Sequence, residues 1–183
     1  KELAQDIWTI IEILADDPDP TPEHETQYGG SNMDPINLAI NSTRSEAIAA
    51  AIRLASWLMR HNNDNKLTSE DEELKGKIIT LLEHHLNMDV DHSLAVRSVY
   101  GSNYWRLMQF DTDWANEIAA LIFPEEDTNR QYWDAAWEGF ISHHRPHPNT
   151  FSNLVNQYKL AVSRVGTLDT SVRHFHDPEK KLG

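Results

Sequence analysis

The sequence predicts an all-α chain, built as an irregular stack of antiparallel helix pairs. Three observations predict it. Apolar residues recur at three- and four-residue spacing, the period of a helix face. Helix-start signals, a Ser, Thr or Asp just ahead of an apolar run, recur between short polar connectors. The β-branched residues also fall at helical spacing, and the period-two alternation of a strand is missing.

Residues 1–16 read as a leading amphipathic helix with Ile7, Trp8, Ile10, Ile11 and Leu14 as its apolar stripe. DDPDPTPEHETQYGGSNMD follows. Its prolines and glycines fit no regular element, so residues 17–33 are expected to form a mobile loop. Asp34-Pro35, a cap and a first-turn proline, opens a helical core over 34–166. Thr43 with Glu46 makes a capping box. The run AIAAAIRLASWLM is apolar on most of its circumference, which predicts a central, sandwiched helix. Ser69 with Glu72 makes a second box, ahead of a helix that buries Leu74, Ile78, Leu81, Leu82 and His85.

Asp91 reads as the cap of a helix to Tyr100. Gly101 would end that helix in the left-handed conformation, with a short helix from Asn103 to Phe110 beyond it. Asp111 or Thr112 caps the next, where Trp114, Ile118, Leu121 and Ile122 share a face until Pro124 stops it. Thr128 with Gln131 is a third box, and Trp133, Trp137, Phe140 and Ile141 repeat the preceding spacing. Asn149 or Thr150 starts a helix with Phe151, Leu154, Val155, Tyr158, Val162 and Val165 inside, closed by Gly166. Residues 167–183 are weakly patterned and expected to be a weakly ordered tail.

Helix starts near Thr43, Ser69, Asp91, Asp111, Thr128 and Asn149 pair into units beginning near residues 43, 91 and 128. The steps, about 48 and 37 residues, bracket the helix-pair repeats of HEAT and armadillo proteins. An α-solenoid of that kind is the expectation, with an irregular helical bundle as the alternative.

Composition narrows the function. At 183 residues the chain fits one domain. Its net charge of −13 argues against a nucleic-acid partner, since phosphate contacts need a positive surface. No apolar run approaches membrane-spanning length, so no membrane partner is expected. With no cysteine there is no disulfide or thiolate chemistry. No secretory signal is visible, and the cytoplasm is the expected location. The chain starts at Lys1 and stops after EKKLG, and it is expected to be part of a longer polypeptide.

Chemistry is thinly signalled. GxSxG, the phosphate loop and GxGxxG are all missing, and no catalytic residue or cofactor is expected. The dense carboxylates at Glu70–Glu73 and Glu125–Asp127 fall at helix N-termini, where the helix dipole stabilises negative charge. His143, His144 and His147, and His174, His176 and Asp177, have spacings that can hold zinc. The first group lies in a loop broken by Pro146 and Pro148, and surface histidines without metal are expected. Arg44, Arg97 and Arg106, close in sequence to Tyr100, Asn103 and Tyr104, are the candidate binding residues, because Arg and Tyr dominate interface hot spots. The alternative is that the aromatics are core and the arginines pair with carboxylates.

Along INSTRSEAIAAAIRLASWL and VRSVYGSNYWRLMQFDTDWANEIAALIFP…WDAAWEGFI the chain resembles a known group. These are the helical repeat regions that follow the nucleotide-binding or effector domain in large bacterial anti-phage defence proteins, of the STAND NTPase or sirtuin-domain type. Asp34, Pro35, Asn41, Ser42, Arg44, Val96, Arg97, Gly101, Trp114, Phe123, Pro124, Trp133, Ala136 and Trp137 carry the resemblance, which covers residues 34–165. It implies a C-terminal sensor or scaffold segment with catalysis elsewhere in the parent chain. The expected function is therefore a non-catalytic module for protein–protein recognition, the sensory or regulatory part of such a protein. The alternative is a small all-α metal-dependent hydrolase that uses the clustered histidines.

Overall fold

Every regular element among the described residues is a helix, and no strand forms there. The computed structural model describes residues 2–29, 35–61, 67–143 and 148–164. In chain order the helices are α1 (Glu2–Ala15), α2 (Pro22–Gly29), α3 (Pro35–Ala39), α4 (Thr43–His61), α5 (Ser69–Leu86) and α6 (Leu94–Phe110). They continue as α7 (Thr112–Glu117), α8 (Ala119–Ile122), α9 (Arg130–His143), α10 (Pro148–Asn153) and α11 (Val155–Ser163). A 3₁₀ turn, Asp127–Asn129, leads into α9.

Four helices lie in a row of contacts: α1 on α4, α4 on α6, α6 on α9. α4 is the sandwiched helix its composition predicts. Ile48, Ala51, Ile52 and Ala55 are wholly enclosed, and its alanines let neighbours come close. α5 packs along α4 and starts from a capping box one residue earlier than expected. Thr68 accepts from the Asp71 amide, and the Asp71 carboxylate accepts from the Thr68 amide.

α6 departs from the sequence expectation. Ser93, not Asp91, caps it, accepting from the Val96 amide at 3.0 Å. It then runs unbroken through Gly101 to Phe110. Gly101 does not end a helix. A Cβ there would overlap the Ala136 carbonyl oxygen on α9, and a Cβ at Gly139 on α9 would overlap the Ser98 carbonyl oxygen on α6. Each glycine lies against the backbone of the opposite helix at the crossing and lets the two backbones touch. A mid-helix glycine costs about 1 kcal/mol relative to alanine, and close packing of α6 on α9 offsets it.

The loop expected at residues 17–33 is also corrected: it contains α2. Pro22 occupies the first helical position, where its missing N–H is no loss. The Thr21 hydroxyl caps the turn by accepting from the His24 amide at 3.1 Å. The segment is tied down at both ends. Asp19 accepts from the Thr43 amide at the start of α4. Glu25 accepts from the Ser93 hydroxyl (2.5 Å) and the Leu94 and Ala95 amides at the start of α6. Each carboxylate meets the positive end of a helix dipole.

The core beyond α6 is aromatic. Trp137 stacks on Trp133, and Phe123, Phe140 and Tyr158 surround it edge-on or tilted. Two further expectations fail here. Phe151 and Val162, expected inside, are exposed, because the chain breaks at Leu154 between α10 and α11 and turns Gln157 inward. The Gln157 amide then accepts from the Trp133 indole at 2.6 Å. Val165, Gly166 and the tail from 167 lie outside the described residues.

Candidate functional site

The six arginine, tyrosine and asparagine candidates separate into two groups. Tyr100 and Tyr104 are fully enclosed. Tyr100 donates to the Leu82 carbonyl at 2.8 Å, and burial drives its phenol far above its usual range. Burial likewise pushes Tyr104 up to about 12. Arg97 is 1% exposed. Its guanidinium donates to the Leu86 carbonyl at the end of α5 (2.9 Å) and the Leu121 carbonyl in α8 (2.7 Å), beneath the Tyr132 ring. A cation against two helix C-termini meets two negative dipole ends. These three side chains are buried against the protein's own helices.

Arg44 belongs to an internal clamp. Its guanidinium donates to the Asp17 and Pro20 carbonyls, each at 2.9 Å, and pairs with Asp91 at 3.0 Å. Asp91 also accepts from the Ser93 amide (3.0 Å) and meets His85 Nδ1 at 2.8 Å. Burial alone would raise the Asp91 pKa. The His85 hydrogen bond, the Arg44 charge and the Ser93 amide together hold it below the ordinary value. The arrangement resembles an imidazole oriented for base catalysis. His85 is only 5% exposed, however, and lies in the interior.

The remaining two candidates, Asn103 and Arg106, share a surface groove of about 370 Å³ between α3, α4 and α6. Ile36, Ile40 and Val99 supply its apolar wall; Arg53, Arg106, Trp105 and Glu46 supply the rest. Arg106 lies over the Trp105 ring at 4.3 Å and donates to the Asn103 side chain at 3.0 Å. Among the described residues no carboxylate pairs with it. Partial burial, then the like charges of Arg53 and Arg60, lower its pKa. Arg53 meets Glu46 at a long 3.5 Å, with both side chains largely exposed. Ser98 and Ser102 spend their hydroxyls, and Asn103 one amide N–H, on helix carbonyls. Arg106 thus keeps guanidinium N–H groups that no carboxylate takes up among the described residues.

A second surface was missed in the sequence. α1 buries Ala4, Trp8, Ile11 and Ala15. It leaves Leu3 (68%), Ile7 (38%), Ile10 (58%), Ile13 (68%) and Leu14 (39%) exposed. Of the apolar stripe read from the sequence, Trp8 and Ile11 are buried while Ile7, Ile10 and Leu14 face outward. Leu3, Ile7, Ile10 and Leu14 repeat the four-three-four spacing of the buried row. That doubling is visible in the sequence as a second apolar row beside the buried one.

The histidine candidates go undescribed. His144, His147, His174, His176 and Asp177 lie outside the described residues, and His143 is placed only as the last residue of α9. No helix among the described residues is long and apolar enough to cross a membrane. Comparison with family models, curated proteins and solved structures returns no match.

Proposed function

We propose that this chain is a non-catalytic helical module that recognises a protein partner, with the outer face of α1 as the contact. The exposed row Leu3, Ile7, Ile10 and Leu14 carries the proposal. Contiguous apolar patches on soluble proteins mark interaction sites. Fully burying one such side chain contributes roughly 1.5–3 kcal/mol. α1 ends the row α1–α4–α6–α9, so a further helix laid beside it continues the stack. The partner is accordingly a helix with apolar residues at the same spacing. Asp6 is exposed beside the row and calls for Lys or Arg on the partner's flank.

The resemblance to helical regions of anti-phage defence proteins supports a sensory or regulatory role within a larger protein. The absence of nucleophile and phosphate-loop motifs in the sequence supports a role without catalysis.

A photo-crosslinking residue at position 10, and a control at exposed Glu117 on α7, test this in the native cell. A discrete adduct with a different polypeptide at position 10, and none at position 117, is the expected result. An adduct of the chain with itself, equal labelling at both positions, or no adduct would overturn the proposal.

A further inference from the structure

We infer that the groove between α3, α4 and α6 is a second binding site, independent of α1, for an acidic peptide segment that sets a carboxylate on Arg106 and an aliphatic side chain against Ile36, Ile40 and Val99. Charge is the first reason. The chain has 29 acidic and 16 basic residues, so an arginine finds a carboxylate easily. Arg106 nevertheless has none among the described residues. It shares its side of α4 and α6 with Arg53 and Arg60, whose like charges oppose its own. An anionic ligand would relieve that repulsion.

Geometry is the second reason. Trp105 supports one face of the guanidinium at 4.3 Å, and Asn103 fixes one edge through Nη1 at 3.0 Å. The fork is therefore held in place before any ligand arrives, and a planar fork matches a carboxylate with two parallel hydrogen bonds. Held this way, it loses little entropy on binding.

The lining decides the ligand class. The groove's two serine hydroxyls and one N–H of the Asn103 amide are already spent on helix carbonyls. Among the described residues no set of convergent polar groups outlines a small molecule there. The groove offers a cation beside an aliphatic wall, which suits Asp or Glu next to Leu or Ile in an extended segment.

An array of hexapeptides drawn from Asp, Glu, Asn, Gln, Leu, Ile, Ser and Lys, probed with the full chain, tests the inference. Enrichment of peptides with a carboxylate beside an aliphatic residue is expected. Arg106→Gln should weaken binding of the best peptide at least ~10-fold, equivalent to about 1.4 kcal/mol. Arg106→Lys, which keeps the charge but loses the fork, should fall between. An Ile10→Ser variant should bind the peptide unchanged, which separates this site from the α1 contact. Far-UV circular dichroism of each variant confirms folding. Lysine enrichment, no enrichment, or binding that survives Arg106→Gln would overturn the inference. So would glutarate or inorganic phosphate displacing the peptide at equal affinity, since the ligand would then be a small anion.

Discussion

α6 and α1 are both apolar beyond a single face, yet they end in opposite surroundings. α6 is enclosed by α3, α4 and α9, and from Ala95 to Gly101 no residue reaches solvent appreciably. α1 rests mainly on α4 and shows its second apolar row to water. The difference lies in what fills the space beside each helix. α6 runs between helices of its own chain, and α1 ends their row. A two-sided apolar helix therefore signals either a centre or an unfilled edge, and only the number of neighbours tells them apart.

The largest expected effect strikes the enclosed helix. Gly101→Ala drives a methyl group into the Ala136 carbonyl, a backbone atom that cannot swing aside. Overpacking of this kind costs typically 1–3 kcal/mol, and a clash with backbone should put the loss at the upper end, at about 3 kcal/mol. Chemical denaturation would show it as a lower midpoint with an unchanged slope. Gly76→Ala in α5 is the control. Nothing lies within 4 Å of its would-be Cβ, so replacement should be neutral or stabilise by up to about 1 kcal/mol.

Breaking the clamp that seats α6 should follow closely. Asp91→Asn leaves Arg44 and His85 without their shared carboxylate. Removing one partner from a buried pair costs about 3 kcal/mol. The pH dependence has a definite sign. The Asp91 pKa is lowered on folding, so its contribution is complete above the unfolded value near about 4. It is lost as pH falls through the folded value. Acid titration of stability should therefore be shallower in Asp91→Asn than in the parent chain.

Much of this contrast was legible in the sequence, and the rest was not for identifiable reasons. The all-α class and the sandwiched α4 follow from spacing alone, and capping chemistry narrows the next helix start to Asp111 or Thr112, of which Asp111 is the cap. α2 was missed because three prolines suggested a loop, although Thr21-Pro22 has the same cap-and-proline form as Asp34-Pro35. Gly101 was misread because a glycine after a helical run looks the same whether it ends the helix or admits another backbone. The arginines were indistinguishable for a similar reason: local sequence does not say which carbonyls or carboxylates the fold will bring near. Arg97 is satisfied by Leu86 and Leu121, while Arg106 meets Trp105 and Asn103. Arg97→Met should accordingly cost about 2 kcal/mol, as two buried carbonyls lose their donor. Arg106→Gln should leave the denaturation midpoint nearly unchanged.

The smallest effect on stability should be the most informative about α1. Ile10 is 58% exposed, so Ile10→Ser forfeits little burial in the isolated chain. Surface changes of this sort stay within about 0.5 kcal/mol. If α1 faces a partner helix, the same change removes one apolar knob from the centre of a short seam, and the effect appears in association and not in folding. An unchanged midpoint together with lost crosslinking from position 14 would place Ile10 in an interface outside the fold. A midpoint that dropped by more than about 1 kcal/mol would show instead that α1's outer row is covered within the chain itself, and the contrast with α6 would disappear.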